Sequence, residues 1–144
     1  MQRNNNIEKF HLVPNVTNIS MTIEERAELM AKNLKSISQK HGWQKLHVIA
    51  HSFTGVDARA AISLYEASKH VQSLTTICSP HLGMRLIDNC NKNPSKHPIE
   101  KVDKIFEAVG LSQKNSYEFS TENIENFNLV ALDSPEVDYY SMGA

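Results

Sequence analysis

The chain has 144 residues, a length that suits one domain and can bury a substantial hydrophobic core. Hydrophobic residues make up 40% of the sequence and charged residues 22%, which is typical of a globular protein. The formal net charge is −1, so composition gives no support to a nucleic-acid partner.

The sequence shows no sign of a disulfide scaffold or of a targeting segment. Its two cysteines, Cys78 and Cys90, are too few for such a scaffold and are interpreted as buried or unreactive thiols. The N-terminal residues lack the apolar core of a signal peptide, and no run approaches the roughly 18 apolar residues of a membrane span. We therefore expect no transmembrane segment and, by default, a soluble cytoplasmic protein.

The first predicted elements are a short strand over Phe10–Val13 and a long helix after it. Thr22 and Glu25 have the spacing of a capping box, so they predict the start of this helix. Gly42 is a stop signal after it. Apolar residues fall between these signals at helical spacing: Ile23, Ala27, Met30, Leu34 and Ile37.

The stretch Leu46–Gly55 has the pattern of a strand, an abrupt turn and a helix. The apolar run that ends the strand Trp43–Ala50 is typical of a parallel strand covered on both faces. A serine, Ser52, follows it, and a broadly apolar helical pattern begins at once. This is the context of a nucleophile elbow, in which small neighbours let the chain turn sharply and leave the serine hydroxyl exposed. Ala50 and Thr54 occupy the two positions that are usually glycine in this pattern.

A second strand over Val71–Cys78 completes a β-α-β unit, so we expect two parallel strands with a right-handed crossover. The carboxyl ends of parallel strands meet at one edge of the sheet. Ser52 and the turn 79–81, with the sequence Ser-Pro-His, should therefore lie on the same rim.

The second half of the chain predicts three helices and one strand. The helices cover Leu82–Asn89, Ile99–Val109 and Thr121–Asn128. A polar breaker segment over 91–98 separates the first two. Val137–Met142 is predicted as a third main strand.

Three blocks in this order resemble the α/β-hydrolase fold, and within it lipases of the triacylglycerol lipase type. Val48–Arg59 is similar to the lipase elbow and the helix behind it, and Leu74–Met84 to the strand that follows. Phe127-Asn128 and then Pro135–Ala144 are similar to the approach to the next strand. The resemblance implies a three-layer α/β fold, a parallel sheet with flanking helices, in one incomplete domain over 1–144.

The family resemblance also implies a site and a substrate class. Ser52 would be the nucleophile and the backbone N–H of Phe53 an oxyanion donor. Residues 89–120 would correspond to a cap or lid, with one apolar face of the helix Ile99–Val109 toward acyl chains. Periodicity alone supports an ordinary helix packed on the core equally well. The substrate would be a lipid or another acyl ester, met through transient contact with a membrane surface, and no cofactor or metal would be needed.

The expected triad is not complete in this sequence. In such enzymes the acid and the histidine follow the serine, beyond the strand with which this sequence ends. The resemblance thus implies the middle of a lipase domain, and we expect the isolated chain to be inactive and its unpaired sheet edges to favour self-association. His51 is interpreted as structural, His81 as the rim histidine that is not the base, and Asp57 as a first-turn helix acid.

Three functional interpretations stay open. The leading one is a lipase-type carboxylic ester hydrolase acting on acylglycerols, and the second is a catalytically incompetent fragment or pseudoenzyme of that family. An esterase or thioesterase on the same fold is the third. A metal site from Cys78, His81, Cys90 and His97 is disfavoured, because their C-x2-H-x8-C-x6-H spacing matches no usual structural zinc pattern.

Overall fold

The protein is represented by a computed structural model that describes residues 21–92 and 117–143. This part of the chain forms a parallel sheet with flanking helices. The helices are α1 (Ile23–His41), α2 (Thr54–Leu64), α3 (Arg85–Lys92) and α4 (Thr121–Val130), and the strands are β1 (Leu46–His51), β2 (Val71–Ile77) and β3 (Asp138–Met142). Short 3₁₀ turns cover Ala67–His70 and Tyr117–Phe119.

The sheet has the order β1-β2-β3, and both pairs of neighbours are parallel. The predicted β-α-β unit is therefore confirmed, and so is a third main strand at the end of the chain. At the carboxyl edge His51 pairs with Ile77, and Ile77 pairs with Met142. The residues that follow β1 and β2 consequently emerge side by side.

The capping signals of α1 are confirmed. The Thr22 hydroxyl accepts a hydrogen bond from the Glu25 N–H at 3.3 Å, and the Glu25 carboxylate accepts one from the Thr22 N–H at 2.8 Å. Gly42 ends the helix in the left-handed conformation, with φ 66°. Local side-chain chemistry is thus sufficient to define both ends of this helix.

The hydrophobic core lies between α1, α2 and the sheet. The broad apolarity of α2 correctly predicts a buried helix, since Val56, Ala60 and Ala61 are fully enclosed. The prediction that β1 is covered on both faces is wrong. Val48 and Ala50 belong to the core region, whereas Ile49 is 71% exposed because alternate side chains point to the opposite face of the sheet. An apolar run does not reveal whether a second helical layer covers that face.

Other predictions differ in their bounds or lie outside the described residues. The helix expected over Leu82–Asn89 begins only at Arg85, because Gly83 has φ 78° and extends the preceding turn. The expected strand Phe10–Val13, the helix Ile99–Val109 and most of the cap over 89–120 are not in the described ranges. Within 21–92 and 117–143, no helix has the length and apolar character needed to cross a membrane.

Candidate active site

Ser52 occupies a strained turn between β1 and α2. Its φ is 57°, in the left-handed region that costs a residue with a side chain about 1–2 kcal/mol. Its N–H donates to the carbonyl of Ile77 on β2 at 2.8 Å, so the serine continues the β1-β2 ladder by one residue. Backbone strain of this kind persists only where the surroundings enforce it and is concentrated at functional sites. The backbone has the geometry of a nucleophile elbow.

Helix α2 begins directly after the turn at Ser52. The Ser52 carbonyl accepts from the Gly55 N–H at 3.1 Å, and the Phe53 carbonyl accepts from the Val56 N–H at 3.0 Å. Phe53 itself has helical dihedral angles, φ −58° and ψ −33°. The positive end of the helix dipole therefore lies next to Ser52, where negative charge would be stabilised.

Thr54 and Gly55 fit the crowded turn after the serine in different ways. Thr54 tolerates its place because its hydroxyl donates to the carbonyl of His51 at 2.7 Å, which satisfies the last acceptor of β1. Gly55 is the residue that must lack a side chain. A Cβ built there would overlap the Ser79 hydroxyl and lie 2.7 Å from Ser79 Cβ. Close approach of α2 to the end of β2 thus depends on Gly55.

The turn after β2 lies on the same rim as Ser52, as predicted. Cys78 has φ 50°, and its N–H donates to the carbonyl of Met142 at 2.8 Å. The next residue, Ser79, lies against the first turn of α2, and its hydroxyl oxygen is buried without a hydrogen-bond partner among the described residues. Topology alone was sufficient to predict this juxtaposition.

The ring nitrogens of His81 have partners other than Ser52. Its Nε2 lies 3.0 Å from the Thr76 hydroxyl and its Nδ1 lies 3.4 Å from Nη1 of Arg59. Burial, and then the Arg59 charge, lower the pKa of His81, which favours a neutral ring that donates through Nε2 and accepts at Nδ1. Among residues 21–92 and 117–143, no hydrogen bond joins Ser52 Oγ to another side chain. His81 is thus hydrogen-bonded to residues other than Ser52.

Arg59 on α2 contacts several segments around the turn after β2. Its side chain is only 15% exposed. It donates to the Asn128 side-chain oxygen at 3.0 Å and to the Ala131 carbonyl at 3.1 Å. Asn128 in turn donates to the His81 carbonyl at 2.9 Å. Arg59 and Asn128 therefore attach the rim turn to α4, which explains the Phe127-Asn128 block in structural terms.

A buried ion pair between Arg26 and Asp57 was missed by sequence reasoning. Arg26 on α1 donates from Nε and Nη2 to the two carboxylate oxygens of Asp57, at 2.9 Å and 3.0 Å. The side chains are 3% and 1% exposed, respectively. Burial raises the pKa of Asp57, and the hydrogen bonds from Arg26 oppose that rise. The signal for it was Arg26 itself, which lies on the apolar face of α1 between Ile23 and Met30.

The aromatic contact of Phe53 was also missed. Its ring is buried and meets the ring of Phe119, with the centroids 4.4 Å apart and the planes tilted by 53°. Edge-tilted pairs at this separation are favourable beyond the area that they bury. No local pattern could have indicated this pair, because its members are distant in sequence.

The metal alternative gains no support from the described residues. No group of three or more His, Cys, Asp or Glu side chains in 21–92 and 117–143 could hold a metal ion. The expectation of burial holds for Cys90 but is wrong for Cys78, which is exposed because it follows the last residue of β2 in the rim turn. His97, the fourth member of the pattern, lies outside the described ranges.

Known structures share this architecture. A lipase of Bacillus licheniformis in its mature form matches with a TM-score of 0.69 and 20% identity, covering 83% of this chain and 47% of that one. The propeptide form of the same lipase matches with a TM-score of 0.67 and 22% identity, covering 83% of this chain and 26% of that one. These likenesses show the fold, and they confirm the predicted α/β-hydrolase architecture.

Sequence comparison gives the family. Triacylglycerol lipase 2 of Saccharomyces cerevisiae is 33% identical over an alignment 131 residues long, which covers 85% of this chain and 37% of the yeast protein. The chain thus spans a little over a third of the length of that relative. The family model described as palmitoyl protein thioesterase matches residues 4–131. That match takes in most of the sequence, and the chain therefore belongs to the palmitoyl protein thioesterase family of α/β-hydrolase-fold proteins.

Proposed function

We propose that Ser52 is the nucleophile of a lipase-type carboxylic ester hydrolase that acts on acylglycerols. The observation that carries this proposal is the φ of 57° at a serine between a parallel strand and a buried helix. A serine in an ordinary turn has no need of this strained conformation. In an elbow the conformation exposes the hydroxyl above the sheet edge and brings it to the helix N-terminus.

The reaction follows from the placement of these groups. Ser52 Oγ attacks the acyl carbonyl carbon while its proton passes to a general base, which would have to come from outside residues 21–92 and 117–143, because no side chain in those ranges is hydrogen-bonded to Ser52 Oγ. The Phe53 N–H and the N-terminus of α2 stabilise the oxyanion of the tetrahedral intermediate. The bond to the glycerol oxygen then breaks, and the alcohol leaves with a proton. Water attacks the resulting acyl-enzyme, releases the fatty acid and restores the serine hydroxyl.

Two apolar side chains support a water-insoluble acyl substrate. Leu82 follows the rim turn and is 80% exposed, and Met142 ends β3 and is 59% exposed. Both belong to the carboxyl edge of the sheet, the edge at which Ser52 lies. The name of the yeast relative, a triacylglycerol lipase, supports the same substrate class. Exposed apolar groups at this edge also favour transient contact with a lipid surface.

A second candidate is hydrolysis of acyl thioesters. The description of the matching family model favours it. The nucleophile and the oxyanion donor would be the same, and the leaving group would be a thiolate in place of an alkoxide. The two candidates therefore differ in the substrate and not in the roles of Ser52 and Phe53.

The test measures release of one fatty acid from two matched substrates by the purified chain. These are a monoacylglycerol and the N-acetylcysteamine thioester of the same acyl group. Any hydrolysis of the ester is expected to depend on Ser52, so that Ser52→Ala abolishes it, while Ser36→Ala on the exposed side of α1 leaves it unchanged. A strong preference for the thioester would select the second candidate. If neither substrate gave Ser52-dependent turnover, the chain would be a catalytically incompetent member of the family.

A further inference from the structure

We propose that Phe119 is a positioning residue for the oxyanion donor of the elbow. It would act through its contact with the ring of Phe53, whose backbone N–H is the proposed donor. The inference rests on the proposed function and adds to it a residue far from the elbow in sequence. It concerns the precision with which one amide is held, and Phe119 itself would touch no substrate atom.

The contact is well placed for this role. Phe119 is fully buried, and its ring centroid lies 4.4 Å from that of Phe53. Phe53 is the N-cap residue of α2, yet no side-chain hydrogen bond caps the helix there. Its neighbour Ser52 is held in a strained conformation that the surroundings must maintain. The contact between the two rings would restrict movement of the peptide unit between Ser52 and Phe53.

Contacts at Phe119 and at the residues that follow it hold the backbone of this segment in place. Its carbonyl accepts from the Met84 N–H at 2.8 Å, which joins it to the turn after β2. Two residues later, both the N–H and the hydroxyl of Thr121 donate to the Asp88 carboxylate on α3. Gly83 lies so close to Thr121 that a Cβ would come within 2.5 Å of its Cα. The backbone around Phe119 is therefore tightly constrained.

A second connection joins Phe119 to the elbow helix through α1. The Arg26 guanidinium carbon lies 5.7 Å from the centroid of the Phe119 ring, and the same guanidinium binds Asp57 in the first turn of α2. The preceding residue, Glu118, accepts from the Ile23 N–H at 3.0 Å, at the start of α1. The first turn of α2 is thus contacted at Phe53 and at Asp57 by groups that meet at Phe119.

A thiol in place of the serine reports on the elbow without the need for a general base. We would prepare Ser52→Cys in a Cys78→Ser background, because Cys78 is exposed whereas Cys90 is buried. The rate of alkylation by iodoacetamide is then measured against pH. A thiol at a helix N-terminus has a lowered pKa, whereas an ordinary cysteine has a pKa of about 8.5. The plateau of the rate at high pH reports the accessibility of the thiol at position 52. The midpoint of the pH profile reports how strongly the thiolate charge is stabilised.

We expect Phe119→Leu to lower the ratio of the alkylation rate at pH 7 to the plateau rate about threefold, because the displaced amide stabilises the thiolate less well. Ile124→Ala is the matched control, because Ile124 is also fully buried but lies further along α4. It should lower stability and leave the midpoint unchanged. Phe53→Leu removes the same ring contact from the elbow side and replaces Phe119→Leu if that variant does not fold.

The outcomes distinguish a failure of the proposed elbow from a failure of the proposed role of Phe119. If the alkylation rate of the Ser52→Cys, Cys78→Ser protein had its midpoint at the pH of an ordinary cysteine, about 8.5, the proposed elbow would be overturned and, with it, this inference. A lowered midpoint that neither Phe119→Leu nor Phe53→Leu moves would overturn the inference alone. A midpoint that Ile124→Ala moves equally would also overturn it, because the effect would then come from general loosening. A shift confined to the two phenylalanine variants is the result that we expect.

Discussion

Replacement of Ser52 by glycine should stabilise the protein. With φ at 57°, the serine has a conformation that costs a residue with a Cβ about 1–2 kcal/mol, and glycine adopts it freely. Glycine also gives the unfolded chain more freedom, which costs about 0.4–1 kcal/mol. The net expectation for Ser52→Gly against Ser52→Ala is a gain of about 0.5–1 kcal/mol in the free energy of unfolding.

The same pair of substitutions at Ser36 is the matched control. Ser36 is exposed in the middle of α1 and is not among the described residues with positive φ. There alanine should be more stable than glycine by about 1 kcal/mol, which is the ordinary order in a helix. The prediction is therefore a reversal of the order of alanine and glycine between the two positions.

Urea denaturation followed by circular dichroism measures these differences, provided that the slopes of the transitions agree. A difference of about 0.5–1 kcal/mol corresponds to roughly 2–3 °C in Tm for a chain of this size. If alanine were more stable than glycine at position 52 as well as at position 36, the turn would be unstrained. That result would refute backbone strain at Ser52.

Three further predictions concern the surroundings of the elbow. Asp57→Ala leaves Arg26, which is 3% exposed, without its carboxylate and should lower the free energy of unfolding by about 3–5 kcal/mol. Gly55→Ala should cost about 1–3 kcal/mol, partly recovered by a second change, Ser79→Gly, because the added methyl group overlaps the Ser79 side chain. Burial lowers the pKa of His81, so the unfolded state binds that proton more tightly, and stability should fall as the pH drops below about 6.5.

Urea titrations of each variant check these three expectations. A loss below about 1 kcal/mol for Asp57→Ala would mean that the ion pair is solvated in solution. No recovery in the Gly55→Ala/Ser79→Gly double variant would place the steric conflict elsewhere. For the pH dependence, His81→Gln is the comparison, since the amide can still donate to Thr76. Equal losses of stability between pH 7.5 and 5.5 in the parent and in this variant would contradict the assignment.

The features that the sequence predicted correctly depend on near neighbours or on general rules of topology. Thr22, Glu25 and Gly42 act within one turn of the helix ends that they define, so the bounds of α1 were readable. Two apolar strands around a helix allow one common parallel arrangement, and this arrangement put Ser52 beside the end of β2. The family resemblance added the interpretation of the serine.

The features that were missed depend on contacts between distant parts of the chain. Arg26 lies on the apolar face of α1, but its burial was not predicted, and Asp57 was only one of 16 acidic residues that could have paired with it. Nothing in the local pattern connected Phe53 with Phe119. The exposure of Ile49 likewise depends on which layers cover the sheet, and an apolar strand does not contain that information.

Labelling of the protein with a fluorophosphonate tests the central claim most directly. Trypsin cleaves after Lys45 and after Arg59, and the peptide between them contains Ser52 as its single serine. We predict that mass spectrometry finds the phosphonyl group on this peptide, and that Ser52→Ala abolishes the adduct. An unmodified peptide, or an adduct on another serine while this peptide stays unlabelled, would contradict the assignment of Ser52 as an activated nucleophile.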